Sequence, residues 1–351
     1  MAGVLRKPGV KKRNSPMSKR RLLIIIAGLC LLPPLILAGQ FAVFLLRPLT
    51  PPAAPTLVTI PPGATLPVTA ATLERAGVIA SATTFRLLAR YTGEVSKIKA
   101  GVYAFNAAAT PREVLRRLAA GDVLKHRVTI IEGMNLREIA ARFAAAGFGS
   151  AGDFLALTKD RAFIRSLGLP EAASLEGFLF PETYLFAAGV SQRKIIETMT
   201  AEFRRHLTPE LTRAAAAAGL DLLKLTTLAS IIQKEAGNTG EMPLIASVFH
   251  NRLRRRMPLQ ADPTVIYGIP NFNGNLTKRD LQTHTPYNTY RIPGLPPGPI
   301  SSPGADALVA AAMPAATTYL YFVAKGDGTH AFSSNLRDHN VAVRRYQLRR
   351  G

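Results

Sequence analysis

The 351-residue chain holds one cysteine, no tryptophan, and half as many acids as bases: 22 Asp and Glu against 44 Lys and Arg. The lone Cys30 excludes an intrachain disulfide framework and any cysteine-based zinc site. Its six histidines are scattered, with no zinc-ligand spacing backed by carboxylates, so no metal and no other cofactor is expected. There is no G-x-S-x-G and no phosphate-cradling glycine loop. Ser230 is followed three residues on by Gln233, where a serine–lysine enzyme needs lysine. Hydrolase chemistry through serine, cysteine or metal is therefore poorly supported, and attention passes to the few acids.

The stretch 22–46 contains no charged side chain and is long enough to cross a bilayer as a helix, with Pro33-Pro34 as a possible kink. Cys30 lies inside it as a small apolar filler, and Leu29 stands where a lipoprotein cleavage site wants a small residue. Arg6, Lys7, Lys11, Lys12, Arg13, Lys19, Arg20 and Arg21 precede it with no acid among them. That asymmetry predicts a cytoplasmic tail (1–21), an uncleaved single-pass anchor in the inner (plasma) membrane, and an extracytoplasmic remainder. Anionic headgroups then account for the tail's charge, and a nucleic-acid partner is not expected. The excess charge beyond the anchor fits an acidic polymer or a membrane surface.

Residues 47–68 are rich in proline and small residues and read as a linker. Residues 69–149 read as a small α/β module. "KIKAGVYAF" alternates like a strand, and "TPREVLRRLAAG" opens a helix with Thr110 as N-cap and Pro111 at its first position. "HRVTIIEG" and "NLREIAARFAAAG" repeat the strand-then-helix order. Residues 150–235 read as helices, with Thr208-Pro209 starting one and Asp221 capping the next. A helix over "MPLIASVFHNRLRRR", a loop-rich tract over 258–304, a hairpin turning at "KGDG" and a last helix complete an α+β chain.

One acid is oddly placed. In "LASIIQKEAG", Leu225, Leu228, Ile231 and Ile232 share a helical face, and Glu235 falls on the same stripe at i+4 and i+3 from the two isoleucines. A carboxylate on an apolar face is costly unless it is paired, hydrogen-bonded or protonated. Helix geometry alone leaves two readings open: a structural carboxylate reaching an arginine or backbone amides, or an acid whose pKa is lifted for proton transfer.

"LASIIQKEAG" followed by "VFHNRLRRRMPLQADPTVIYG", "YNTYRIPGLPPGPISSPG" and "YLYFVAKGDGTHAFSSNLRDHN", with "LEGFLFPETYLF" upstream, resembles the endolytic murein transglycosylase (YceG-like) family. The resemblance implies a membrane-anchored lyase that cuts peptidoglycan glycan strands internally, between MurNAc and GlcNAc, leaving 1,6-anhydro-MurNAc ends and terminating growing strands. It makes Glu235 the catalytic acid, 150–351 the catalytic domain and 69–149 a LysM-like module. It also implies penicillin-binding proteins as partners. The rival reading is a non-catalytic, membrane-anchored peptidoglycan-binding scaffold. Family members often carry a glutamate where this chain has Gln233, which leaves Glu235 as the one acid in its block.

Within the matched blocks, Gln260, Asp262, Thr264, Tyr267, Asn288 and Tyr290 are the candidate substrate-binding residues. Their hydroxyls, amides and rings suit sugar hydroxyls, acetamides and ring faces, although Asp262 and Asn288 also suit turns. Glu241, Asn335 and His339 are expected to brace the site from behind. Glu176 and Glu182 are expected to make structural hydrogen bonds.

Overall fold

The computed structural model describes residues 19–46 and 55–348. Most of the basic tail (1–18) and the first part of the linker (47–54) lie outside the described residues. The fold is mixed α+β, and the chain divides into two compact units, Met1–Leu124 and Lys125–Gly351.

The first unit begins with the helix Lys19–Leu46. Within it Leu23–Leu45 has a mean hydropathy of 2.2 and is long and apolar enough to cross a membrane. Pro33 and Pro34 sit inside the helix without ending it. Strand β1 (Thr56–Ile60) pairs antiparallel with β2 (Gly101–Phe105), placing Val58 opposite Tyr103. β1 lies in the stretch read as linker: Pro55, Pro61 and Pro62 flank the β-formers "TLVTI" rather than interrupt them, and Val58 and Ile60 turn inward. Helices Leu66–Arg75 and Ala82–Tyr91 cross between the strands, and Pro111–Ala120 follows. Thr110 and Glu113 form a capping box on that last helix, and Gly121 closes it with a left-handed φ of 73°. Leu73, Phe85, Tyr103, Val114 and Leu118 fill the unit's own core.

The second unit holds two antiparallel pairs, β3 (Lys125–Thr129) with β4 (Thr183–Ala187), and β5 (Tyr321–Ala324) with β6 (His330–Ser333). The division at Leu124/Lys125 puts 125–149 in this unit, ahead of the boundary expected at 149/150. The reason is physical: β3 has its partner in β4, and Val128, Ile130, Leu136, Ile139 and Phe143 all enter the second core. β4 also interrupts the helical reading of 150–235. Its "TYLFA" turns Tyr184 and Phe186 inward with period two.

The helix Leu222–Glu235 runs through the middle of this core, capped by Asp221, whose side chain accepts from Lys224 N at 2.8 Å. It packs on Ala305–Ala312, where buried Ala307 and Ala311 allow close approach. Ser230 Oγ accepts from Ile300 N at 3.0 Å and Gln233 Oε1 from Gly304 N at 3.0 Å, so the same helix holds the segment 300–304. Gln233 Nε2 in turn donates to Glu132, a contact that a second carboxylate at this position would turn into repulsion. The helix Met242–Arg254 follows, then the loop-rich tract, which contains the short helices Asp262–Gly268 and Lys278–Gln282. The last helix, Leu336–Tyr346, lies against the β5–β6 hairpin.

Candidate active site

Glu235 is the final residue of its helix and carries the buried face of Leu225, Leu228, Ile231 and Ile232 out into a cleft of about 390 Å3. Its side chain is half-buried and neither hydrogen-bonded nor ion-paired among the described residues. Burial first, and the Asp262 carboxylate second, push its pKa up to about 8, against an opposing pull from Arg252. The negative end of the helix dipole acts in the same direction as burial. The carboxyl is therefore protonated at neutral pH and still open to the cleft. A structural carboxylate satisfied by an arginine or by amides would look different.

Gln260, Asp262 and Tyr290 border the same cleft. Tyr290 Oη donates to Asp262 Oδ1 at 2.6 Å. Gln260 adopts a left-handed φ of 51°, uncommon for a residue with a side chain. Two contacts hold it there: its N–H donates to Thr289 O at 3.1 Å, and its Oε1 accepts from Arg252 Nη1 at 3.1 Å. His339, expected behind the site, lines the cleft itself and stacks on Tyr321 with ring centroids 5.0 Å apart. Burial pushes its pKa down, and Arg252 adds to the effect.

Other expected residues turn elsewhere. Thr264 is fully buried and bonds Ala261 O at 2.7 Å and Thr289 Oγ1 at 2.8 Å. Tyr267 packs on Tyr287 and donates to Glu176 Oε2 at 2.9 Å. Asn288 is fully buried. Its Nδ2 reaches the carbonyls of Asp280, Leu281 and Thr283, and its Oδ1 accepts from Tyr290 N at 3.0 Å. Its amide thus holds the loop that presents Tyr290, and no group of it is left for a ligand. Asn335 caps the last helix, accepting from Asp338 N at 2.9 Å. Glu241 faces His330 and accepts from both its backbone N at 3.0 Å and its Nδ1 at 2.8 Å. Glu176 is buried and accepts from Leu136 N at 3.0 Å, while Glu182 accepts from Thr183 N at 2.7 Å.

Two cleft residues escape the sequence reading. Arg252 is buried and donates Nε to Leu320 O at 2.7 Å and Nη1 to Leu259 O at 2.9 Å, leaving Nη2 without a protein partner among the described residues. The signal was present: Arg252 continues the buried stripe Met242, Ile245, Phe249 at i+3 from its last member, the same anomaly that singles out Glu235. His330 is the other. It sits on a strand of "HAFS", where a histidine beside aromatic residues has no distinguishing pattern.

Three comparisons bear on this geometry. The YceG-like family matches residues 58–345. An endolytic murein transglycosylase of Bacillus subtilis is 33% identical over 330 residues, covering 89% of this chain and 91% of that protein. One of Streptococcus pneumoniae is 30% identical over 317 residues, covering 82% of this chain and 57% of the longer relative. A crystal structure of a yceG-like protein from Listeria monocytogenes is 33% identical, covers 82% of this chain and 98% of its own, and superposes with a TM-score of 0.57. With the match spanning both compact units and the cleft around Glu235, the chain belongs to the YceG-like family.

Proposed function

We propose that Glu235 is the proton-transferring carboxyl with which this chain, a peptidoglycan-cleaving lytic transglycosylase, cuts glycan strands internally. The observation that carries the reading is an unpaired carboxyl, protonated at neutral pH, facing a polar cleft. An ordinary glycosidase uses two carboxyls, one for the leaving group and one for water or covalent attack. Here the 6-hydroxyl of the muramic acid residue is the nucleophile. Glu235 protonates the departing glycosidic oxygen, the 6-hydroxyl oxygen closes on the anomeric carbon as its proton passes to a base in the cleft, and no water is consumed. The internal nucleophile supplies much of the advantage through proximity. Gln260, Asp262 and Tyr290 form the sugar-facing wall. A non-catalytic scaffold would have no use for an unpaired carboxyl held neutral at this cost.

The helix Lys19–Leu46 is read as a single-pass anchor in the inner (plasma) membrane, with the basic tail in the cytoplasm and the second unit outside. The LysM-like module expected over 69–149 is read onto the part of the first unit that has its own core, with 125–149 left to the second unit. Glycan-polymerising penicillin-binding proteins are the proposed partners, since an enzyme that ends nascent strands must meet them as they leave the polymerase. Mass spectrometry of digests of purified glycan strands tests the activity: 1,6-anhydro ends support it, and reducing ends or intact strands overturn it. Protease accessibility in spheroplasts tests the topology, and digestion of the basic tail from outside would reverse it.

A further inference from the structure

The Glu235 cleft also holds an imidazole that a carboxylate orients. His330 borders that cleft, and its ring is clamped by Glu241: one carboxylate oxygen takes the His330 backbone N–H at 3.0 Å, the other takes Nδ1 at 2.8 Å. A carboxylate only accepts, so Nδ1 carries the hydrogen, and the neutral form of the ring has Nε2 as its acceptor. Nε2 has no protein partner among the described residues. The His330 and Glu241 side chains are 9% and 15% exposed, so water competes little for the bond between them. This is the orientation that a carboxylate imposes on an imidazole base.

The acid and the imidazole are also tied to each other through the chain. Two residues after Glu235, Gly237 lies so close to the hairpin turn that a Cβ there would stand 2.5 Å from Gly328 O. Asn238 Nδ2 donates to that same carbonyl at 2.9 Å, and Glu241 then reaches His330. Three successive contacts from 237 to 241 therefore fix β6 against the end of the Glu235 helix.

We infer that His330, oriented by Glu241, takes the proton of the attacking 6-hydroxyl while Glu235 protonates the leaving oxygen. The inference rests on the reading of Glu235 as the acid. The bonds balance: O6–H breaks and Nε2–H forms, O6–C1 forms and C1–O4 breaks, and the Glu235 proton goes to O4. The imidazolium then returns its proton to the Glu235 carboxylate through water, so no proton is gained or lost per turnover. Glu241 stabilises the imidazolium in between. Dividing the work spares one carboxyl from serving two oxygens of the substrate.

The test is the pH–rate profile of the full chain on purified glycan strands, with anhydro ends counted by mass spectrometry. Glu241 bonds the ring, and Glu235, Asp262, Tyr290, Arg252 and His339 are the titratable and charged groups that share the cleft with it. The wild type is expected to lose rate at high pH as Glu235 ionises, and to show a second limb on the acid side if an imidazole acts as the base. His330→Gln is expected to lose the acid limb and to fall about 10²–10³-fold at pH 7. Glu241→Gln keeps a hydrogen-bonding head and is expected to move that limb to lower pH, because the imidazolium loses its anion. Should His330→Gln fail to fold, the wild-type limb and its shift in Glu241→Gln decide the matter. A wild-type profile without an acid limb overturns the inference, as does a limb that survives His330→Gln or stays in place in Glu241→Gln. Glu235→Gln separates the two claims: full activity in that variant sinks the acid assignment, whereas an inactive variant with a flat wild-type acid limb sinks the imidazole alone.

Discussion

Tyr290 donates its phenolic hydrogen to Asp262 across 2.6 Å, and so fixes the one carboxylate that helps keep Glu235 protonated. Burial first and Asp262 second hold the phenol itself in its protonated form, so it stays a donor through the working pH range. Tyr290→Phe removes only the hydroxyl. A hydrogen bond to a charged group contributes about 1.5–3 kcal/mol. The variant is therefore expected to keep its fold and lose about ten-fold in kcat/KM, read as the rate of anhydro-end release. An unchanged rate would mean that the orientation of Asp262 does not matter.

Asn288→Ala is expected to be a stability variant. The buried amide satisfies three carbonyls and one backbone N–H of the loop carrying Tyr290, and the truncation leaves Leu281 O, Thr283 O and Tyr290 N unpaired, while Asp280 O keeps Thr283 N–H. Each such loss costs about 1–3 kcal/mol where water cannot replace the partner. A drop of at least about 2 kcal/mol in unfolding free energy is expected, measured by urea titration. A variant as stable as the parent but weaker in glycan binding would return Asn288 to the binding wall.

Much of this fold was legible in the sequence because local rules and tertiary structure agree. Thr110 with Pro111 and Asp221 before its apolar stripe mark their helices, and "KGDG" marks the hairpin turn. The anomaly at Glu235 was legible for the same reason: helical period places it, and burial makes it costly. β1 and β4 were not, since a five-residue strand among prolines or helices is decided by its distant partner. The roles of Thr264, Tyr267 and Asn288 were illegible because a polar side chain reads alike whether it meets a sugar or a neighbouring loop. Arg252 carries the same signal as Glu235, a charge on a buried helical stripe, but within a run of arginines.

Gly237→Ala tests the tie between the Glu235 helix and the hairpin. The added Cβ would meet a backbone carbonyl at 2.5 Å, which no side-chain rotation relieves. Overpacking of this kind costs about 1–3 kcal/mol. The variant is expected to fold with a lowered Tm and to lose rate at least about ten-fold as the hairpin moves away from Glu235. Full activity would show that the hairpin position is immaterial to turnover.

Stability should fall as pH rises through the neutral range. Burial pushes Glu176 up to about 7 and Glu235 up to about 8 from an ordinary 4.5. Between about pH 4.5 and those values the folded chain keeps protons that the unfolded chain has released, so each group's contribution is complete at acid pH and is lost as pH climbs. Glu176→Gln mimics the protonated carboxyl: its oxygen can accept from Leu136 N and its NH2 can face Tyr267. The variant should fold, show a flatter stability profile between about pH 5 and 7, and gain on the order of 3 kcal/mol relative to the parent above pH 7. Denaturant midpoints across that range check it, and an unchanged slope would contradict it.

Glu235→Gln is the most direct test of the assignment at the centre of this site. Glutamine has nearly the same shape and hydrogen-bonding head, so the variant should fold, be at least as stable as the wild type at pH 7, and be retained on insoluble peptidoglycan as the wild type is. It cannot transfer the proton, a step that contributes about 10²–10⁴ in rate. The measurement is the yield of 1,6-anhydro ends from purified glycan strands, by mass spectrometry at pH 7. The expected result is a folded, glycan-retaining variant whose anhydro products fall by at least about a hundred-fold. Anhydro ends appearing at the wild-type rate would contradict it and place the acid elsewhere in the cleft.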